Sequence, residues 1–239
     1  MTFSTVLHLL LVAFLVVVFP IWDRRETRRL KTSADPAVRV RSYQKTIAWQ
    51  LAATALLLAT VPARLLFTPS ATLAELGVKV TLRQAMPVIV GLLIGAALPV
   101  LLTRTRGRAA RPMPQLAAID FFLPRDRRER AWFAAMCVVV GVCEEIIFRG
   151  FLVRFLAGPP LALGIAAAVA AAALIFGIDH GYQGIVGILS TGVLALVFTA
   201  LFFISRSLWL PIVLHALIDL RVLLLVPGGE APAPGVPPS

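Results

Sequence analysis

Residues 141–150 read GVCEEIIFRG, two adjacent glutamates and an arginine set between AWFAAMCVVV and FLVRFLAG. If this stretch lies in a bilayer, each of those charges costs free energy unless something nearby answers it. Whether it lies there decides the fold.

The composition points one way. The 239 residues are 59% hydrophobic and only 15% charged, with a mean hydropathy of +0.89. A soluble domain needs more polar surface than that. Apolar runs of spanning length occur at Phe3–Trp22, Thr46–Phe67, Ala85–Leu102, Ala131–Phe155, Leu161–Ile178, Ile185–Ile204 and Leu208–Val226. The expectation is an all-α, polytopic transmembrane helical bundle of about seven spans, six to eight given the Pro and Gly interruptions.

The first run has no basic residues before it and no small-residue cleavage site after it; it continues into DRRETRR. It is read as a retained anchor with its N-terminus outside. The net charge of +11 is distributed unevenly: eight Lys/Arg lie between Arg24 and Lys45, and eight between Arg104 and Arg130. That alternation fits the positive-inside rule, with the basic loops 23–45 and 103–130 on the cytoplasmic side and anionic lipid headgroups as a secondary contact. No aromatic interleaving or binding motif accompanies the charge, so no nucleic-acid partner is expected. Cys137 and Cys143 are six apart on one expected helix and read as small buried residues.

The chain divides by character. Residues 1–105 form apolar hairpins with almost no internal charge. Residues 106–130 form a basic, Pro-containing connection with room for a short interfacial helix. Residues 131–226 form a core of four spans, whose Ala-rich LALGIAAAVAAAALIFG permits close helix approach. The tail, 227–239, is Pro/Gly-rich and expected to be disordered.

Within that core the ionisable residues at depth are Glu144, Glu145, Arg149, Asp179, His180, His215 and Asp219. Each must be kept against a cost of about 2.5–3.5 kcal/mol at the bilayer centre, which favours a functional cluster. Adjacent residues on an α-helix point about 100° apart, so Glu144 and Glu145 are not expected to face one site. Glu145 precedes Arg149 by four residues, which suits a structural ion pair. Glu144 is then the surplus carboxylate, with the histidines of other helices as its expected partners. In HALID, His215 and Asp219 share a face, and Asp219 could orient the imidazole or act directly. Asp179 falls off the His180 face and reads as a helix-end or interfacial residue.

One Glu and two His in a dry pocket suit activation of water, the carboxylate taking a proton while a His or a metal holds the reactants. The same groups, His180, His215, Asp219 and Glu144, could instead ligate Zn²⁺. There is no nucleophile-elbow serine, HExxH or GxGxxG to support other hydrolase or nucleotide-binding readings.

EEIIFR, FGIDH and HALID together resemble the EExxxR, FxxxH and HxxxN/D signatures of the CPBP intramembrane proteases, the group of CAAX-processing type II endopeptidases and bacteriocin-processing or immunity proteins. LPRDRRER, just before the first signature, is also similar to the family's approach to it. The resemblance covers residues 120–226. It implies Glu144 and His180 as the water-activating pair, with His215 and Asp219 stabilising the oxyanion or binding a metal. Asp219 stands where the eukaryotic branch has Asn, and a carboxylate is the better metal ligand. The implied substrate is a membrane-associated or lipidated peptide, in what reads as a bacterial plasma membrane. A non-catalytic immunity protein and a proton-coupled transporter are the competing readings. Counting spans places Glu144 mid-helix but His180 at a helix end; either the span boundaries differ or the fifth helix continues a turn past His180, towards Tyr182, and the continuation is expected.

Overall fold

The computed structural model describes residues 2–33, 35–106 and 114–226. Every regular element among them is helical. Helices α1 (Phe3–Thr32), α2 (Pro36–Thr60), the short α3 (Ala63–Phe67), α4 (Leu82–Arg106), the short α5 (Pro114–Ala118), α6 (Arg127–Ala157), α7 (Ile165–Asp179), α8 (Gly184–Ser205), α9 (Trp209–Leu220) and the short α10 (Val222–Leu225) follow in chain order. Residues 107–113 of the basic connection and the tail 227–239 lie outside the described residues.

Each of the seven apolar runs carries a helix. Four of these helices, Phe3–Thr32, Leu82–Leu102, Arg127–Ala157 and Gly181–Ser205, are long and apolar enough to cross a membrane alone. The others depart from the expected spans for local reasons. Helix α2 is 25 residues long but begins with Arg39, Arg41 and Lys45, and it stops at Thr60, just before Val61-Pro62. Helix α7 has 15 residues and begins after Gly164, whose φ of 74° breaks the run from Leu161. Helix α9 has 12.

The core is built around α6. Its middle, Glu145–Leu152, is a π-helix whose eight residues are all buried. Such segments are uncommon and gather at functional sites. Two glycines let neighbours approach it at backbone distance. A Cβ on Gly141 would lie 2.9 Å from the backbone nitrogen of Ala216 in α9, and one on Gly150 would lie 2.5 Å from the carbonyl oxygen of Leu66 in α3. The first contact sets α9, and with it His215, against the glutamates. The second seats α3 on the π segment, where Arg154 donates to the carbonyls of Leu65 and Thr68.

At the basic end, α2 and α6 are joined by a buried ion pair. Arg39 donates through Nε (3.0 Å) and Nη2 (2.8 Å) to Glu129 Oε1, while Glu129 Oε2 accepts from the Arg125 backbone N–H at 2.6 Å. Asp126 caps the first turn of α6 by accepting from the Glu129 N–H. Tyr43 adds a 2.6 Å donation to the Phe122 carbonyl, and Arg130 donates to the carbonyls of Leu223 and Val226 at the end of α10. The two halves of the chain are therefore one packed body along α2 and α6.

Gly141→Ala should lower stability by about 1–3 kcal/mol through overpacking against Ala216. Gly91→Ala, with no atom within 4 Å of the added methyl, should change it by less than about 1 kcal/mol. Thermal unfolding of the two variants in one detergent checks the contrast.

Candidate active site

The three motifs converge at depth. Counted along the helices at 1.5 Å per residue, Gln50 and Glu144 lie about 16 and 22 Å from the Arg39–Glu129 pair. Glu145 and Arg149 form the expected i,i+4 ion pair, 3.0 Å between Oε1 and Nη1, with side chains 0% and 2% exposed. The guanidinium also lies 4.5 Å from the Phe176 ring centroid and 5.5 Å from that of Phe198. A buried cation thus meets one carboxylate and two aromatic faces.

Glu145 does more than answer Arg149. Its Oε1 also accepts from His215 Nδ1 at 2.7 Å. An ionised carboxylate only accepts, so Nδ1 carries the hydrogen and Nε2 is turned to the other side. There it lies 3.8 Å from Glu144 Oε2 and 3.6 Å from Asp219 Oδ2. Two expectations are corrected here. The adjacent glutamates do meet at one residue, because an imidazole presents two nitrogens on opposite edges. The ring is oriented by Glu145 rather than by Asp219, whose side chain is 34% exposed and lies beyond hydrogen-bond distance.

The carboxylate of Glu144 is buried, and its Oε1 accepts from the side-chain Nε2 of Gln50 at 2.9 Å. Its Oε2 has no hydrogen-bond partner among the described residues. Sequence reasoning missed Gln50 because only ionisable residues were weighed. The available signal was an amide alone in the apolar stretch TIAWQLAATALLLAT.

His180 does not sit inside a helix. Helix α7 ends at Asp179, His180 leaves helical geometry at φ −98° and ψ 21°, and a 3₁₀ turn (Gly181–Gln183) leads into α8. The expected continuation to Tyr182 is therefore corrected. The bend lets His180 Nδ1 donate to the Phe176 carbonyl at 2.7 Å, which leaves Nε2 as the lone-pair nitrogen. Phe176 links the parts of the site. Its ring is 4.5 Å from that of His180 and 6.3 Å from that of His215, centroid to centroid. Asp179 ends α7 as expected but is buried, not interfacial, and neither of its oxygens has a hydrogen-bond partner among the described residues.

No three His, Cys, Asp or Glu side chains among the described residues are grouped to hold a metal ion. Cys137 and Cys143 are free and buried.

Removing either member of the buried ion pair strands the other. Glu145→Ala and Arg149→Ala should each cost about 3–5 kcal/mol and reduce the folded fraction recovered from membranes. Glu144→Gln keeps the shape and an acceptor for Gln50, and should fold within about 1 kcal/mol of the parent. Size-exclusion profiles and unfolding midpoints of the three purified variants check this.

One comparison with known proteins matches this part of the chain. The family model described as Rce1-like, type II CAAX prenyl endopeptidase Rce1-like, aligns with residues 127–221, a stretch that holds all three motifs. No curated protein and no solved structure matches significantly. Residues 127–221 are thus similar to the Rce1-like type II CAAX prenyl endopeptidases, a protease family.

Proposed function

We propose that the protein is an intramembrane endopeptidase that hydrolyses a peptide bond of a membrane-associated or lipidated peptide, with Glu144 as general base. The observation that carries this is the state of the Glu144 carboxylate: buried in the family domain, tethered through one oxygen, with the other unbonded and facing an oriented imidazole.

In the proposed reaction, Glu144 Oε2 takes a proton from a water molecule held by the lone pair of His180 Nε2. The water oxygen forms a bond to the scissile carbonyl carbon, and the carbonyl electron pair moves to its oxygen. His215, as an imidazolium with N–H on both nitrogens, keeps Nδ1 on Glu145 and donates from Nε2 to that oxyanion, while Asp219 stands beside the ring at the exposed edge of the site. The C–N bond then breaks as Glu144 returns its proton to the leaving nitrogen. Arg149 pairs with Glu145, the carboxylate that holds His215 through Nδ1.

A divalent metal such as Zn²⁺ would draw on His180, His215, Asp219 and Glu144 and would polarise the carbonyl or the water. His215 has Nδ1 committed to Glu145 and the donors are not gathered into a metal set, so no step is routed through one. The family description makes prenylated CAAX-type peptides the first substrates to try. Membrane lipids are the proposed surroundings, the N-terminus is proposed to lie outside, and no nucleic-acid partner is proposed.

Purified protein in detergent or nanodiscs should cleave a fluorogenic farnesylated CAAX-type peptide. Glu144→Gln should lower kcat by about 10²–10⁴. Cleavage at the parent rate by Glu144→Gln would remove the base assignment, and abolition by a chelator would reassign the four residues to a metal.

A further inference from the structure

We infer that Gln50, on α2 and outside the family domain, is a positioning residue for Glu144; this rests on the proposed role of Glu144 as base. The site is then completed by the N-terminal half of the chain, which is not a mere anchor.

The inference starts from the cost of keeping Gln50 where it is. The side chain is fully buried, in a helix whose neighbouring positions are apolar. A buried amide has two ends to satisfy. Its Nε2 donates to Glu144 Oε1 at 2.9 Å, but its own Oε1 has no partner among the described residues. A residue kept for packing would do better as Leu or Met, which fill similar space and leave no unpaired acceptor. The amide serves Glu144 at its own expense.

Gln50 supplies the one hydrogen bond that Glu144 receives from a side chain among the described residues; His215 Nε2, at 3.8 Å, is beyond that range. The assignment of the amide follows from its partner, since an ionised carboxylate accepts only and the NH₂ end must face it. With Oε1 held, rotation of the carboxylate is stopped and Oε2 becomes the proton acceptor facing His215. A general base gains most when its orientation is set before reaction.

The register that delivers Gln50 is itself built. Eleven residues earlier on the same helix, Arg39 makes its two-point contact with Glu129 at the start of α6, and Tyr43 bonds the Phe122 carbonyl between them. Trp49, the residue before Gln50, packs against Phe14 at 5.9 Å and Phe19 at 4.8 Å, centroid to centroid. Helix α2 can neither slide nor turn relative to Glu144 without breaking these contacts.

Two readings of Gln50→Leu test this, with the isosteric Gln50→Met as a second variant should Leu fold poorly. Steady-state kinetics on the farnesylated peptide should show kcat falling about ten- to hundredfold with KM within about twofold, as expected for loss of a hydrogen bond to a charged catalytic group. The second reading needs no substrate. The infrared carboxyl band of Glu144, identified by its loss in Glu144→Gln, should shift in both Gln50 variants. An unchanged kcat in an active enzyme, or an unshifted band whether or not the peptide is cleaved, overturns the inference. A shifted band in a parent protein that cleaves nothing would retain the hold of Gln50 on Glu144 while removing the protease reading.

Discussion

The carboxylate of Glu145 is the constraint on which the site depends. One of its oxygens faces both the Arg149 guanidinium and the Nδ1–H of His215. A lone arginine at this depth would be expelled or would draw water inward. Paired with Glu145 and covered by Phe176 and Phe198, it is tolerated, and the carboxylate it stabilises sets the tautomer of an imidazole on another helix. The structural ion pair and the chemical apparatus are thus one network. Among the described residues, Glu145 Oε2 and the two terminal nitrogens of Arg149 have no hydrogen-bond partner, so the network rests on the ion pair, the aromatic faces and the His215 bond.

Backbone geometry makes that network possible. Gly141 admits the backbone beside His215, so that the two nitrogens of its ring can face consecutive glutamates. The end of α7 at Asp179 frees His180 from helical geometry, so its Nδ1 can find the Phe176 carbonyl. Each of these features lies beside a motif.

The N-terminal helices share in this arrangement. Helix α2 is fixed to α6 by Arg39–Glu129 at one end and reaches Glu144 through Gln50 further along. Helix α3 is seated on the π segment at Gly150 and bonded by Arg154. The apolar N-terminal helices and the charged core are thus in direct contact.

Much was legible in the sequence because it depends on short-range order and on the solvent. Apolar length and charge alternation predicted an all-helical membrane bundle, and the i,i+4 spacing of Glu145 and Arg149 predicted their pair. The three motifs marked the residues that converge. What the sequence could not determine were distances between helices and deviations within them. Gln50 meets Glu144 across 94 positions of chain, and His215 meets Glu145 across 70. No periodicity along one helix encodes which residue of another lies opposite. The π turn, the helix end at Asp179 and the partner of each glutamate were decided only in the tertiary structure, where buried polar groups must find partners among whatever side chains packing brings within reach.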